Sequence, residues 1–194
     1  LGHELLQQVA VEFAAADGLY VSPVVRKAKE DDFEISAIVG CYEALAAAGA
    51  YGDVEVIIGA LAYLPKFAGP REAILTAICR QNYGCSHFVI GRDHAGIESY
   101  YSGVDAATYY EAAGDGLGIE LLLFDEAYFC RRCEGASIDC GHPAEDREPI
   151  SGTIVREVVQ RGASADYPLL SEVVKGALAR RKVEVRQPSS AEAS

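Results

Sequence analysis

The sequence contains no methionine among its 194 residues, and it begins with Leu1. We therefore expect a fragment, or a sequence from which modified methionines have been lost. It also has no apolar run of the length that a transmembrane helix needs, no signal-peptide pattern at its start and no internal repeat. These absences favour a soluble, globular protein of the cytoplasm.

Positive charge is scarce as well. Lysine and arginine number 17 against 29 aspartates and glutamates, which gives a formal net charge of −12 at pH 7. This balance argues against nucleic acid or an anionic membrane as a partner. An anionic substrate would have to be bound by a local positive site that acts against the overall field.

The order of predicted elements favours an α/β fold. Helical patterns alternate with apolar, β-branched runs: we predict helices at 3–16, 34–48, 70–84 and near 105–112, and strands at 19–25, 53–63, 87–91 and 119–124. The run at 53–63 does not alternate, so it is predicted to be buried on both faces. This pattern predicts a Rossmann-like parallel sheet with helices on both faces.

The character of the chain changes near residue 126. We predict an α/β domain at 1–125, a smaller C-terminal subdomain at 126–186 and a disordered polar tail at 187–194. The subdomain would begin with an irregular insertion at 128–149, rich in Cys, Gly, Arg and acids. Two helices, at 150–162 and 167–182, would follow it.

The stretch "GRDHAG" follows the predicted strand 87–91 without a turn signal. Ligands of parallel sheets bind beyond the carboxyl ends of the strands, which is where this charged stretch falls. Arg92 offers a planar fork for anionic oxygens, Asp93 would pair with it or contact a nucleotide, and His94 is a further donor. Gly91 and Gly96 allow close approach of a ligand. The alternative is a surface turn with an Arg–Asp ion pair.

Two predicted helix starts also carry candidate ligands for phosphate. His3 lies at the start of the first helix, where free N–H groups and the helix dipole favour anions. Ser151 and Thr153 open a later helix, with Arg156 one turn in. The alternatives are a surface or capping role for His3 and plain helix capping by the two hydroxyls.

Three of the six cysteines fall within eleven residues, in "CRRCEGASIDCGH". Together with a histidine they give the spacing C-x2-C-x6-C-x-H, and a structural zinc needs such a closed set of four thiolate or imidazole ligands. The predicted ligands are Cys130, Cys133, Cys140 and His142. The last two are closer together than in common zinc fingers, so free thiols are the alternative.

These pieces, in this order, resemble the sulfate adenylyltransferase (ATP sulfurylase) family. "LGHE" resembles the end of the HxGHE motif, and "FAGPREAILTAICRQNYGCSHFVIGRDHAG" resembles the family's most recognisable stretch. "FDEAYFCRRCEG" and "CGHPAEDREPISGTIVREVVQRG" resemble the segment that follows, including a zinc-binding loop of some members. The resemblance runs from about residue 1 to 178.

The resemblance implies a nucleotidyltransferase fold of the HIGH type and an enzyme that converts ATP and sulfate into adenosine 5′-phosphosulfate and pyrophosphate. In this implied reaction sulfate would attack the α-phosphorus of ATP. Because both reactants are anions, catalysis would depend on positioning them and on neutralising their charge. It further implies Mg²⁺ with the ATP, a structural Zn²⁺ and association into a homo-oligomer.

The resemblance also implies a role for each candidate residue. His3, Arg92 and His94 would be catalytic, and His3 and His94 would contact the phosphates. Gly91 to His94 would form the ATP site, with the backbone of Ala95 near sulfate. The pyrophosphate end would be held by Ser151, Thr153 and Arg156.

The family's QxRN motif, the first histidine of HxGH, the first strand and an N-terminal β-rich domain fall outside this sequence. Two other functions therefore stay open. One is an inactive sulfurylase-like structural or regulatory domain, fused for example to an adenylylsulfate kinase. The other is a related adenylyltransferase that uses another acceptor.

Overall fold

The structure is a computed structural model of the chain, and it describes residues 2–25, 33–66, 68–90 and 116–181. The described helices are α1 (Gly2–Phe13), α2 (Ile35–Ala47), α3 (Pro70–Asn82), α4 (Gly152–Gln160) and α5 (Glu172–Arg181). The described strands are β1 (Gly18–Val21), β2 (Val24–Val25), β3 (Glu55–Ile58), β4 (Leu61–Ala62), β5 (His87–Ile90), β6 (Glu120–Leu123), β7 (Tyr128–Cys130), β8 (Gly135–Ser137) and β9 (Arg147–Pro149). The helix predicted near 105–112 and the tail at 187–194 lie outside the described residues.

The described strands before residue 125 pair in parallel, as predicted. β1 pairs with β3, β2 with β4 and β5 with β6. Helix α1 lies against both β1 and β5, and α3 packs against β5. The chain is therefore a mixed α/β protein in which helices cover small parallel sheets.

The first two parallel pairs are one ladder with a short interruption. β1–β3 and β2–β4 have the same register, and the backbone N–H of Gly59 donates to Val21 O at 3.0 Å while Leu61 N–H donates to Pro23 O at 2.9 Å. Pro23 has no N–H to donate, so the ladder loses a bond there. The predicted strands 19–25 and 53–63 each divide at this point.

One prediction about these strands is wrong. The run at 53–63 was expected to be buried on both faces, but exposure alternates along β3, and Ile57 is 55% exposed. A strand with one face towards solvent and the other towards the protein accounts for this alternation. The apolar run is a consequence of β-branched residues on both faces of a half-buried strand.

Gly59 is required by the close approach of Tyr20. A Cβ placed on Gly59 would lie 2.5 Å from Tyr20 Oη and 2.7 Å from its Cε2. The Tyr20 hydroxyl donates to Gly59 O at 3.1 Å, and its ring meets Tyr83 edge-on at 5.6 Å. The glycine therefore lets a tyrosine lie across the interruption of the ladder.

We expect Gly59→Ala to lower the free energy of unfolding by about 1 to 3 kcal/mol, since the added methyl group would displace the Tyr20 ring and break its hydrogen bond. Urea unfolding measures this. Gly116→Ala is the control, because a Cβ there meets no atom of the described residues within 4 Å. Equal effects of the two substitutions would show that Tyr20 moves aside without cost.

The segment 128–149 is not the irregular insertion that its composition predicted. It forms a three-stranded antiparallel sheet in the order β8–β7–β9. The strands have only three residues each, which is why neither alternation nor a hydrophobic run marks them in the sequence. The helix predicted at 150–162 is α4, and the one predicted at 167–182 is shorter, beginning at Glu172.

The last described helix, α5, packs against α2, which belongs to the first half of the chain. No helix among the described residues combines the length and the apolar character needed to cross a bilayer.

Candidate functional site

The "GRDHAG" segment is attached at the carboxyl end of β5. Ile90, the last residue of that strand, is 2% exposed, and its carbonyl accepts the backbone N–H of Phe124, just after β6, at 3.5 Å. Ile90 is thus held in the core at the edge where parallel strands leave room for ligands. The predicted ligands that follow it, Gly91, Arg92, Asp93, His94 and Ala95, lie outside the described residues.

Two helix starts come together beside this sheet. Gly2, in the first turn of α1, is buried so closely that a Cβ there would lie 3.5 Å from Ile150 Cγ2 and 3.7 Å from Ala127 Cβ. Ile150 directly precedes Ser151, the residue before α4. His3 follows Gly2 and is exposed. The structure therefore brings the start of α1 close to the residue that precedes Ser151. The first N–H groups of a helix have no partner within that helix, so two starts of this kind could together favour an anion.

The hydroxyls at the start of α4 do not cap the helix by the expected side-chain bond. Ser151 occupies the N-cap position with extended backbone (φ −98°, ψ 125°) and makes no side-chain capping bond. Thr153 Oγ1 instead accepts a hydrogen bond from Arg156 Nη2 at 3.1 Å. The interpretation of Ser151 as a side-chain cap is therefore wrong. Thr153 and Arg156 form a hydrogen-bonded pair at the N-terminal, positive end of the helix dipole.

Helix α3 has a buried row of polar side chains that was not predicted from the sequence. Glu72, Thr76 and Arg80 recur every fourth residue and are 2%, 4% and 7% exposed. The Glu72 carboxylate accepts the backbone N–H groups of Lys66 (3.1 and 3.2 Å) and Ala68 (2.9 Å). It thereby fixes the loop between β4 and α3. The four-residue spacing was readable in the sequence, but it is equally typical of an exposed polar face.

Arg80 ties the two parallel sheets to each other. Its Nη2 donates to Ser22 O, just after β1, at 3.2 Å, and the guanidinium lies 5.3 Å from the Phe88 ring of β5. Burial lowers the pKa of Arg80, while nearby thiols and tyrosines act in the opposite direction. Within the described residues, Arg80 Nη1 and Ser22 Oγ are buried without a hydrogen-bond partner. Arg80 is therefore a structural cation that holds β1 and β5 at a set separation.

The four predicted metal ligands converge in the β8–β7–β9 sheet. Their ligand atoms all lie within 4.8 Å of one another. His142 Nδ1 lies 3.4 Å from Cys130 Sγ and 3.3 Å from Cys133 Sγ. Tetrahedral coordination with Zn–S distances of about 2.3 Å places ligand atoms about 3.5 to 3.8 Å apart. The cluster could therefore hold one metal ion, and His142 presents Nδ1 to two of the thiols.

Hydrogen bonds within the cluster differentiate its thiols. Tyr128 is the main cause that lowers the pKa of Cys140 to about 6, assisted by the backbone N–H of His142. The pKa of Cys133 is raised to about 11, chiefly by its contact with the Cys130 thiol. The two pKa values therefore shift in opposite directions, and a bound cation would favour the thiolate form of every cysteine it contacts.

The sheet around the cluster has almost no apolar core. Within residues 128–149, all of which the structure describes, Cys130 is the single buried residue, at 0% exposed. Hydrophobic burial therefore contributes little to holding β7, β8 and β9 together. Small segments of this kind are usually stabilised by disulfides or by a structural metal, and all three cysteines of the cluster are free thiols.

A family model described as ATP-sulfurylase matches residues 1–178. The chain belongs to the ATP-sulfurylase family. The resemblance inferred from the motifs is confirmed by this match and by the relatives of the chain. It is 42% identical over 176 residues to the sulfate adenylyltransferase of Aeropyrum pernix, a match that covers 89% of this chain and 45% of that protein.

Other relatives carry the same name. The sulfate adenylyltransferase of Symbiobacterium thermophilum is 39% identical over 163 residues, covering 82% of this chain and 41% of that protein. That of Staphylothermus marinus is 38% identical over 177 residues, covering 90% and 45%. The chain spans less than half the length of these curated relatives.

A solved structure described as "Hexameric APS kinase from Thiobacillus denitrificans" shares the fold. The TM-score is 0.60 at 18% sequence identity, and the match covers 92% of this chain and 33% of that one. At this identity the likeness concerns the fold alone. It agrees with the mixed α/β arrangement of the described residues.

Proposed function

We propose that this chain provides the nucleotide-binding part of a sulfate adenylyltransferase, which converts ATP and sulfate into adenosine 5′-phosphosulfate and pyrophosphate. The observation that carries the proposal is the family match over residues 1–178. It is supported by the attachment of "GRDHAG" to the buried carboxyl end of β5 and by the neighbouring starts of α1 and α4.

The chemistry is a displacement at the α-phosphorus of ATP. A sulfate oxygen forms the new P–O bond, and pyrophosphate leaves with the electrons of the bond that breaks. Both reactants are anions and the chain has a net charge of −12, so their repulsion must be offset locally. Backbone N–H groups at two helix starts and cationic side chains supply the positive potential.

The residues would divide these tasks by position. Arg92 and His94, beyond β5, would bind the nucleotide with Gly91 and Asp93, and the Ala95 backbone would lie near sulfate. At the start of α1, His3 would donate to the phosphates. The pyrophosphate end would lie at the start of α4, held by Ser151, Thr153 and Arg156. Thr153 and Arg156 already form a hydrogen-bonded pair there.

Two metal ions belong to the proposal. Mg²⁺ would arrive with ATP and be held by the phosphate oxygens. Zn²⁺ would be held by Cys130, Cys133, Cys140 and His142. The convergence of these ligands, and the lack of an apolar core in the segment 128–149, favour a structural ion. Because all four positions around the zinc would be filled by protein, it would fix the fold of 128–149 and take no part in the reaction.

The wider organisation is inferred in the same way. Residues 1–125 would form the nucleotide-binding domain, with a Rossmann-like sheet covered on both faces, and residues 126–186 a subdomain built on the zinc loop. Association into a homo-oligomer and a cytoplasmic location complete the proposal. Contact of α5 with α2 supports a fixed relation between the two parts.

The test measures the pyrophosphate that the chain releases from ATP in the presence of sulfate and, separately, of molybdate. Molybdate is a second oxyanion that a site for sulfate should also accept. Release that depends on either oxyanion supports the proposal. Calorimetry with ATP is run in parallel. ATP binding without oxyanion-dependent release would instead indicate an inactive nucleotide-binding module, and release that depends on another acceptor would indicate a different adenylyltransferase.

A further inference from the structure

A zinc bound to three thiolates and one imidazole forms a centre with a net charge of −1. Such a centre is stabilised by hydrogen bonds to the sulfurs and by groups that fix the orientation of each ligand. The backbone N–H of His142 supplies one such bond, to Cys140, and side chains outside the four ligands can supply others. Among the described residues, Tyr128 and Arg147 contact the cluster without belonging to it.

Tyr128 contacts one ligand at two atoms. Its hydroxyl donates to Cys140 Sγ at 3.4 Å and accepts the backbone N–H of Cys140 at 2.9 Å. Tyr128 precedes Cys130 by two residues in β7, so both side chains are on the same face of the strand. One hydroxyl thereby fixes both the main chain and the sulfur of a ligand that comes from a loop.

Arg147 holds the backbone around the same ligand. Its Nη2 contacts the carbonyl oxygens of Cys140 at 3.4 Å and His142 at 3.2 Å. The guanidinium lies 4.6 Å from the centre of the Tyr128 ring. Arg147 is paired with Cys130 across β7 and β9, so the strand register itself places it beside the cluster.

We propose that Tyr128 and Arg147 are positioning residues of the metal centre: Tyr128 orients the Cys140 sulfur, and Arg147 fixes the loop that carries Cys140 and His142. The cation of Arg147 also offsets the negative charge of the centre. This inference rests on the proposed zinc site, and neither side chain would touch the metal itself. It predicts that the two residues act as one unit, because Arg147 lies over the Tyr128 ring.

The test is metal binding by Tyr128→Phe, which removes one oxygen and keeps the ring. We expect zinc affinity, measured by competition with a chromophoric chelator, to fall by about 10- to 100-fold. In the cobalt-loaded protein, the sulfur-to-metal charge-transfer band should shift, because the Cys140 thiolate loses its donor. Tyr20→Phe is the matched control: it also removes a tyrosine hydroxyl bonded to backbone but leaves the cluster untouched.

A second variant tests the unit. Arg147→Met should weaken zinc binding less when Tyr128 is already phenylalanine, since coupled side chains give non-additive effects. Arg161→Met, at an exposed ion pair on α4, is its control.

The outcomes separate the two proposals. A wild-type chain that binds no zinc or cobalt would overturn the metal site. Wild-type binding with unchanged affinity and spectrum in Tyr128→Phe would overturn the positioning role alone. An equal loss in Tyr20→Phe would reduce it to a general effect on stability.

Discussion

Replacement of Cys130 by serine, or removal of the bound metal with a chelator, is expected to unfold the β8–β7–β9 sheet. Cys130 is the single buried residue of 128–149, and three-residue strands are not stable by themselves. Structural zinc contributes about 10 to 16 kcal/mol of binding free energy in small zinc-dependent peptides. The metal would therefore supply most of the stability of this segment.

The loss should spread to the start of α1. Gly2 packs against Ala127 and Ile150, which flank the sheet in the sequence, and α1 also contacts β8. Hydrogen exchange should accelerate first in 128–149 and then in the first turn of α1, while α2 stays protected. If α2 exchanges as early as β7, the sheet and the rest of the chain unfold as one unit.

Elemental analysis provides the direct measurement. We expect one zinc per wild-type chain and none in Cys130→Ser, with a full complement in Cys85→Ser. Cys85 is a suitable control because it is a partly buried free thiol outside the cluster. A wild-type chain without zinc whose segment 128–149 still exchanges slowly would contradict a structural metal and reduce the cluster to thiols.

Some elements were predictable because local chemistry decides them. Pro70 at the first helical position marks the start of α3, and short apolar runs mark β5 and β6. The convergence of the four Cys and His side chains was predicted by their spacing, because only certain side chains bind zinc and they must be close together. In these cases the decisive information lies within a few residues of the sequence.

Other features depend on contacts that no local pattern records. Glu72 is buried because the backbone N–H groups of Lys66 and Ala68 meet its carboxylate, and Arg80 because Ser22 O accepts its N–H. A charged residue is buried only where partners offset the loss of hydration. The sequence shows the charges but not these partners, so both residues were missed.

The surroundings of the Cys/His cluster were likewise not predictable from local sequence patterns. The spacing of cysteine and histidine identified the four members of the cluster, but no spacing rule identifies Tyr128 and Arg147. They reach the cluster through strand alternation and through the register of β7 against β9. That register follows from the antiparallel sheet, and the sequence does not predict the sheet because its strands have only three residues each.

Arg92→Ala is expected to abolish pyrophosphate exchange and to leave the fold intact. Arg92 follows Ile90 by two residues in the sequence, and Ile90 is the buried end of β5, at the edge where the nucleotide is proposed to bind. Two anions must meet within a chain of net charge −12. Loss of one group that stabilises developing charge typically costs about 100- to 1,000-fold in rate, and loss of a whole guanidinium should cost at least that much.

The measurement compares isotope exchange between pyrophosphate and ATP in the wild-type chain and the variant. Arg161→Ala is the control, since Arg161 is an exposed cation paired with Glu157 and its removal changes the net charge equally. Arg92→Lys should recover only part of the rate, because a lysine keeps the charge without the planar fork. The melting temperature should be unchanged in all three variants, because Arg161 is exposed and Arg92 is proposed to bind the substrate rather than to stabilise the fold. An active Arg92→Ala variant would remove this residue from the site, and an equal loss in Arg161→Ala would show that overall charge alone controls the rate.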